Sequence, residues 1–169
     1  MLRLSRYVLV LLVVTAATGA RAKLPSWDVK NDKAARFKVL KAFANAAVLD
    51  TETGLVWERT PGNVQTIFVS AASRCLNDEI GGRFGWRLPT DYELTTLLVT
   101  SPTTFLRGLP EGTPFLGVQP PVAFWTSSFA PDRTDVYDLV EFGFAANPVA
   151  FTLPDDTALS WCVRGGLGP

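Results

Sequence analysis

Runs of β-prone residues with short polar breaks predict most of the secondary structure. Residues 46–50 and 55–59 flank a polar segment that ends in Gly54, and this arrangement predicts a β-hairpin. Residues 36–43 contain a candidate edge strand before it. Turn residues separate four later β-prone runs, which we predict as strands at 123–129, 136–142, 149–153 and 159–164.

Two helices are predicted between the hairpin and these strands. The first covers residues 64–76, with Asn63 as its N-cap, because one face is apolar at helical spacing and ends in Cys75. The second covers residues 91–99 and turns three leucines inward. They are Leu94, Leu97 and Leu98.

A capping box marks the start of the second helix. The Thr90 hydroxyl can accept from the main-chain N–H of Glu93, while the Glu93 carboxylate can accept from the N–H of Thr90. Pro89 disfavours a helical conformation at the residue before it, so the chain should enter this helix extended. Trp86, in the preceding glycine-rich turn, is expected to anchor that turn to the core.

Residues 100–122 contain five prolines and three glycines, and we predict a long irregular loop there. Such loops inside compact domains are usually functional. The order of hairpin, two helices, long loop and antiparallel strands indicates an α+β fold in a single domain.

The first 22 residues have the pattern of a cleaved signal peptide. Arg3 and Arg6 precede an apolar run too short to span a membrane, and small residues at Ala20 and Ala22 fit a cleavage site. We therefore expect a secreted or periplasmic protein without a membrane span after cleavage. Residues 23–45 form an N-terminal arm, and residues 46–166 form the domain.

Charge and cysteine usage narrow the function further. Removing three arginines with the signal leaves 13 basic against 16 acidic residues, and no basic stripe suggests a nucleic-acid partner. In an exported protein, Cys75 and Cys162 are expected to form a disulfide. The alternative, a catalytic thiol, would need a base nearby, and the chain contains no histidine.

Four motifs resemble one bacterial family. Residues 50–57 resemble its D-x-x-T-G-L-x-W opening, and residues 85–94 resemble its central G-W-R-L-P-T-x-x-E-L. Residues 124–128 are similar to its Y-W-S-S segment, and residues 162–164 to its closing C-V-R. The family is the DUF1566 domain, also called the Lcl C-terminal domain after a collagen-like adhesin.

This resemblance implies a C-type-lectin-like fold, distantly similar to that of formylglycine-generating enzymes. In the adhesin the domain is associated with trimer assembly and with binding of sulfated polysaccharides. The resemblance therefore allows this chain to form a homo-oligomer. The resemblance also implies structural roles for motif residues. These are Trp57, Trp86, Arg87, Pro89, Thr90, Glu93 and Arg164.

Two activities of related proteins are not expected in this chain, because the residues that carry them are missing or otherwise engaged. Calcium-dependent lectins bind sugars with Glu-Pro-Asn or Gln-Pro-Asp plus Trp-Asn-Asp. This chain has Gln119-Pro120-Pro121 and Trp125-Thr126-Ser127 instead, which lack the Asn and Asp side chains of those motifs, so neither a metal nor another cofactor is expected. Formylglycine-generating enzymes need a pair of active-site cysteines, whereas both cysteines here are assigned to the disulfide.

Several tryptophans, arginines and acids are expected to have structural rather than ligand-binding roles. Trp57, Trp86 and Trp161 are expected in the core, and Arg87 and Arg164 are expected to pair with acids or loop carbonyls. The acids between 132 and 141, and the pair Asp155 and Asp156, are interpreted as solvated turn and surface charges. The ligand-binding candidates lie in or near the long loop. They are Arg107, Gln119, Trp125 and Arg133.

These observations lead to the prediction of a non-enzymatic binding or adhesion module that recognises a glycan or a cell-surface protein. Two alternatives stay open. An enzyme acting on a glycan or peptide would need two carboxylates facing one cleft, or a strongly perturbed acid. A structural subunit of an envelope assembly would present a large apolar surface.

Overall fold

The computed structural model describes residues 36–133, 135–145 and 147–165, so the predicted signal peptide and most of the N-terminal arm lie outside the described residues. The described residues form nine strands, two α-helices and a short 3₁₀ helix. In chain order these are β1 (Phe37–Val39), the 3₁₀ helix (Lys41–Phe43), β2 (Ala47–Asp50), β3 (Val56–Glu58), α1 (Phe68–Asn77), α2 (Asp91–Thr95), β4 (Val99–Thr100), β5 (Arg107–Gly108), β6 (Val122–Phe129), β7 (Tyr137–Phe142), β8 (Val149–Thr152) and β9 (Val163–Arg164).

The first sheet confirms the predicted hairpin and edge strand. Its four strands run antiparallel in the order β1-β2-β3-β9, with Val48 opposite Trp57 in the hairpin. β1 lies at one edge and covers only part of the predicted run 36–43, since the 3₁₀ helix follows it. Gly54 closes the hairpin turn with φ of +75°, a conformation that favours glycine.

The second large sheet is antiparallel, in the order β6-β7-β8. Its strands agree closely with three predicted runs. The fourth run is mostly irregular: β9 covers only Val163–Arg164, while Ala158 and Leu159 form isolated bridges to Thr66 and Phe124. Two helices beside antiparallel sheets confirm the α+β class.

Helix α1 begins four residues later than predicted, at Phe68, and Asn63 is not its N-cap. Ile67 occupies the cap position and has no side-chain cap hydrogen bond. The cause is a long-range pairing, since the N–H and C=O of Thr66 both bond to Ala158, at 2.9 and 3.2 Å. Val64, the first residue of the predicted helix, lies outside α1 and is 65% exposed.

Helix α2 has the predicted capping box but ends at Thr95 rather than near residue 99. Glu93 N donates to Thr90 Oγ1 at 3.1 Å, and Thr90 N donates to Glu93 Oε2 at 2.9 Å. The helix stops early because Val99 pairs with Gly108 in a two-stranded sheet formed by β4 and β5. The predicted irregular loop thus begins with a small hairpin.

The β6-β7-β8 sheet separates two buried clusters. Alternate residues on its strands face either cluster, since successive side chains on a strand point to opposite faces. The larger cluster contains Phe124, Val140 and Phe142 together with Trp57, Leu94 and Trp161. The smaller contains Trp86, Leu88 and Trp125 together with helix α1.

The predicted disulfide is present in the smaller cluster. It joins Cys75 on α1 to Cys162, just before β9, and the two Cα atoms are 5.4 Å apart. A bond between these distant segments fixes the first helix against the closing strand. In the described part of the chain, no helix combines the length and apolar character needed to cross a bilayer.

Candidate functional site

The β4–β5 hairpin presents an exposed aromatic residue at its tip, residues 101–106. Ser101 N donates to Leu106 O at 2.9 Å, and Phe105 N donates to Ser101 O at 3.0 Å, so the main chain of the tip is internally bonded. Phe105 has φ of +59° and is 69% exposed. A non-glycine residue in this conformation is uncommon, and here it directs a large apolar side chain to solvent.

A cavity of about 470 Å³ lies against this hairpin. This volume is within the range typical of small-ligand sites, roughly 300–1,000 Å³. Its lining combines apolar side chains, hydroxyl groups, one arginine and one glutamate. The lining residues are Val99, Thr100, Ser101, Pro102, Thr104, Leu106, Arg107, Gly108, Leu109, Glu111, Pro120 and Gly143.

Arg107, one of the four ligand candidates, lies in this lining. Its main-chain N donates to Phe144 O at 3.0 Å, and its O accepts from Gly143 N at 2.6 Å, which holds β5 against the end of β7. Its guanidinium has no acid partner among the described residues. The cavity therefore contains a half-buried cation that is available to a ligand.

The lining beside Arg107 includes a glycine that no larger residue can replace without a shift. Gly143 has φ of +94°, and a Cβ atom there would lie only 2.6 Å from Pro120 Cβ. No larger residue fits without moving the proline. Pro120 and Pro121 are joined by a cis peptide bond. Gln119, the second candidate, is exposed beside Pro120 but is not part of the cavity lining.

The prediction that Trp125 binds a ligand is wrong. Its side chain is fully buried, and its indole N–H donates to the main-chain O of Thr66 at 2.6 Å. It packs edge-to-face against Phe68 and Tyr137, with ring centroids 5.7 and 6.1 Å away. Trp125 belongs to the core because it lies where strand β6 packs against helix α1, and not at the edge of the long loop.

Arg133, the fourth candidate, lies in the exposed turn between β6 and β7 and is not part of the cavity lining. It donates to both carboxylate oxygens of Asp135, at 3.1 and 2.6 Å. This hydrogen bonding lowers the pKa of Asp135. Of the four candidates, the structure thus places only Arg107 in the cavity.

The interpretation of Asp138 as a solvated surface acid is also wrong. Asp138 is 6% exposed, and its Oδ1 is buried without a hydrogen-bond partner among the described residues. Burial, together with the negative charge of Asp91, raises the pKa of Asp138. Strand alternation carries the missed signal, since residue 138 has the same parity as the inward-facing Val136 and Val140. Asp138 lines none of the described cavities.

The central motif forms a rigid structural unit. Arg87 donates to both carboxylate oxygens of Glu93, at 2.8 and 2.6 Å, and to the main-chain O of Gly165 at 2.9 Å. Glu93 also completes the capping box, so its carboxylate connects Arg87 to the start of helix α2, while Arg87 connects both to Gly165. Pro89 contributes its main-chain O, which accepts from Ser127 N at 2.7 Å.

The predicted core tryptophans are confirmed. Trp57 and Trp161 are fully buried, and Trp86 is 1% exposed. Trp57 and Trp161 pack edge-to-face with centroids 5.8 Å apart. Arg164 differs from Arg87, because its guanidinium lies 5.9 Å from the ring centroid of Phe43 and forms no ion pair with a described acid.

A buried ion pair beside the disulfide has no counterpart in the sequence predictions. Arg74 donates to both carboxylate oxygens of Glu58, to Ser160 Oγ at 3.2 Å and to Cys162 Sγ at 3.1 Å. Burial raises the pKa of Glu58 despite these hydrogen bonds. The arrangement covers a disulfide sulfur with a charged group and fixes helix α1 to the hairpin.

Metal ligation finds no support at these positions. In residues 36–133, 135–145 and 147–165, no three histidine, cysteine, aspartate or glutamate side chains are arranged to hold an ion. The cavity beside the hairpin contains Glu111 as its single acid, which is fewer charged ligands than a calcium site prefers.

Comparison with known proteins gives one match. Neither the curated proteins nor the solved structures contain a match to the chain. A family model for the Lcl C-terminal domain matches residues 46–164, from β2 to the end of β9. This match covers all four motifs, the disulfide and the hairpin cavity, and it includes most of the sequence. The chain therefore belongs to the Lcl C-terminal domain family, which is the DUF1566 family.

Proposed function

We propose that the protein is an exported, non-enzymatic binding module whose hairpin cavity takes a short glycan segment from a cell surface. The observation that carries this proposal is Arg107, a half-buried arginine without an acid partner among the described residues, in a cavity of about 470 Å³. A guanidinium can donate several hydrogen bonds to hydroxyl or carboxylate groups of a sugar.

The surroundings of Arg107 fit such a ligand. Thr100, Ser101 and Thr104 add hydroxyl groups, while Leu106 and the exposed ring of Phe105 add apolar surface at the rim. A mixture of a few polar groups and a mostly apolar lining is typical of small-ligand sites. A segment of a cell-surface protein is the other ligand that this combination accepts.

The arrangement of acids supports binding rather than hydrolysis. Glycoside hydrolysis uses two carboxyl groups on either side of the scissile bond, and Glu111 is the single acid of the cavity lining. Asp138 has a raised pKa, but its position on the core side of β7 gives it no described cavity in which to act.

Location and fold belong to the same proposal. The disulfide fits an oxidising compartment, so we assign the module to the periplasm or the cell exterior. A C-type-lectin-like architecture is supported by the family resemblance and by the covalent link from the first helix to the closing strand.

A glycan array screened with and without EDTA tests the proposal. We expect at least one glycan class to bind equally well in both conditions, because no calcium ligand set is involved. Arg107→Gln should weaken the best hit about tenfold, since each charge-assisted hydrogen bond contributes about 1.5–3 kcal/mol.

Lys38→Gln is the matched control, because it removes one exposed positive charge on β1, outside the cavity lining. It should bind like the wild type. Binding that disappears with EDTA, or that survives Arg107→Gln unchanged, would contradict the assignment of the cavity.

A further inference from the structure

Most arginines in the described residues are already engaged. Eight arginines are described, and four of them form ion pairs with acids: Arg36, Arg74, Arg87 and Arg133. Arg59 donates to the carbonyl oxygens of Pro114 and Asn45. The three that have no acid partner and no carbonyl beyond their own neighbour are Arg83, Arg107 and Arg164.

Two of these three lie over the same ring. The guanidinium carbon of Arg83 is 5.7 Å from the centroid of Phe43, and that of Arg164 is 5.9 Å from it. Arg83 comes from the glycine-rich turn and Arg164 from β9, so the fold brings two cations from distant segments to one place. Each guanidinium gains from the ring quadrupole, and neither forms an ion pair with a described acid.

The ring that holds the two cations is itself fixed. Phe43 packs edge-to-face on buried Trp86, with centroids 6.2 Å apart. A Cβ atom on Gly81 would lie 2.4 Å from Phe43 O, so the glycine-rich turn is pressed against the 3₁₀ helix. The cations are therefore partly ordered before any ligand arrives, which lowers the entropy cost of binding.

The neighbouring surface is open and apolar. Phe84 follows Arg83 and is 59% exposed. Gly82 and Gly85 present no side chains beside it, and a Cβ atom on Gly85 would lie 3.6 Å from Arg164 Nε. We name Phe43, Arg83, Phe84 and Arg164 the arginine–phenylalanine patch. It shares no residue with the hairpin cavity.

We propose that the arginine–phenylalanine patch docks an acidic peptide segment that carries an aromatic or aliphatic residue. Carboxylates of the segment pair with Arg83 and Arg164, and its apolar side chain packs on Phe84. Arginine forks match carboxylate geometry and are weakly hydrated, so they suit such contacts better than lysines.

The size of the patch favours a peptide over a polyanionic glycan. A long polyanion gains affinity from many cations along an extended surface. Here two arginines without a described ion pair lie in a protein that has 13 basic against 16 acidic residues once the predicted signal peptide is removed. A short segment with two or three carboxylates matches that local charge.

Fluorescence anisotropy on the full exported protein tests the proposal. The probe is a labelled peptide of glutamates around one tryptophan, and its control replaces every glutamate by glutamine. We expect the acidic peptide to bind with an affinity that falls as salt rises, and the glutamine peptide to bind at least tenfold more weakly.

The double variant Arg83→Gln/Arg164→Gln should lower the affinity at least tenfold, and Phe84→Ser should lower it about threefold. Lys38→Gln, which removes an exposed charge outside the patch, should leave it unchanged. Arg83→Lys/Arg164→Lys keeps both charges but not the planar forks, so it should recover part of the loss. Circular dichroism confirms that each variant is folded.

Three results would overturn the proposal. The acidic peptide fails to bind at millimolar concentration, the glutamine peptide binds as tightly, or heparin binds more tightly than the peptide and is lost with the double variant. The last result would assign the patch to a sulfated polymer. None of them bears on the glycan array result with Arg107→Gln, so this proposal and the proposed function fail separately.

Discussion

Arg87 and Arg107 lie in two regions that use the same side chain differently. Around Arg87, both carboxylate oxygens of Glu93 and a main-chain oxygen accept from the guanidinium, and the region is a motif of the family. Around Arg107, the main chain is bonded to Phe144 and Gly143 while the guanidinium has no described acid partner.

This contrast indicates which residues of the domain are available to bind a ligand. The residues of the central motif, 85–94, complete one another's hydrogen bonds and leave little for a ligand. The hairpin residues are held in place through the main chain, so their side chains are available. Recognition is therefore expected outside the central motif, and the second of the three predictions below tests this division directly.

The largest expected effect concerns the disulfide of the framework. Cys75→Ser/Cys162→Ser should lower the free energy of unfolding by about 4–5 kcal/mol, because the bond closes a long loop and restricts the unfolded chain. Urea denaturation of both proteins measures the difference. A loss below about 1 kcal/mol would show that the bond does not support the framework.

The next effect compares the two arginines directly. Arg87→Ala should destabilise the protein by about 3 kcal/mol, since it leaves the mostly buried Glu93 carboxylate without its partner. Arg107→Ala should change stability by less than about 0.5 kcal/mol, because no described acid loses a partner. Thermal and urea unfolding of the two variants measure both values. Equal losses would remove the distinction between the regions.

The smallest effect has the opposite sign and concerns Asp138. Its pKa is raised in the folded state, so the folded protein binds this proton more tightly than the unfolded chain does. The contribution of Asp138 to stability is therefore full below the ordinary aspartate pKa and is lost as the pH rises through the raised value. Asp138→Asn should stabilise the protein at pH 7 by about 1 kcal/mol.

The advantage of Asp138→Asn should be smaller at pH 4 than at pH 7, because the raised pKa of Asp138 lets the wild-type carboxyl take up a proton more readily than an ordinary aspartate as the pH falls. Melting temperatures at both pH values measure this dependence. Asp135→Asn is the control, because Asp135 is exposed and its pKa is lowered by Arg133 rather than raised. If Asp138→Asn destabilises the protein at pH 7, the carboxylate has a favourable partner that the described residues do not include.

Local interactions explain which parts of the fold were predictable. The capping box and the β2–β3 hairpin depend on residues a few positions apart, so local sequence patterns predict both of them. The start of α1 depends on Thr66 pairing with Ala158, more than ninety positions away, and no local pattern contains that pairing. The early end of α2 has a more local cause, since Val99 pairs with Gly108, nine positions later, within the segment that was predicted to be irregular.

The candidate site was predictable to a smaller extent. Proline and glycine content identified the irregular segment 100–122, which contains Arg107 and most of the cavity lining. Trp125 was misassigned because its place beside the long loop suggested an exposed side chain, whereas both faces of the edge strand β6 are covered by buried clusters. The arginine–phenylalanine patch was missed because Arg83 and Arg164 meet only through the folded position of Phe43.

The hairpin tip has one further consequence. Among the described residues, positions 101–106 contribute nothing to either buried cluster, and the strands beneath them are tied to the sheet through main-chain atoms of Arg107. Substitutions, insertions or deletions at these six positions can thus change the exposed surface of the hairpin without altering any residue of the two buried clusters.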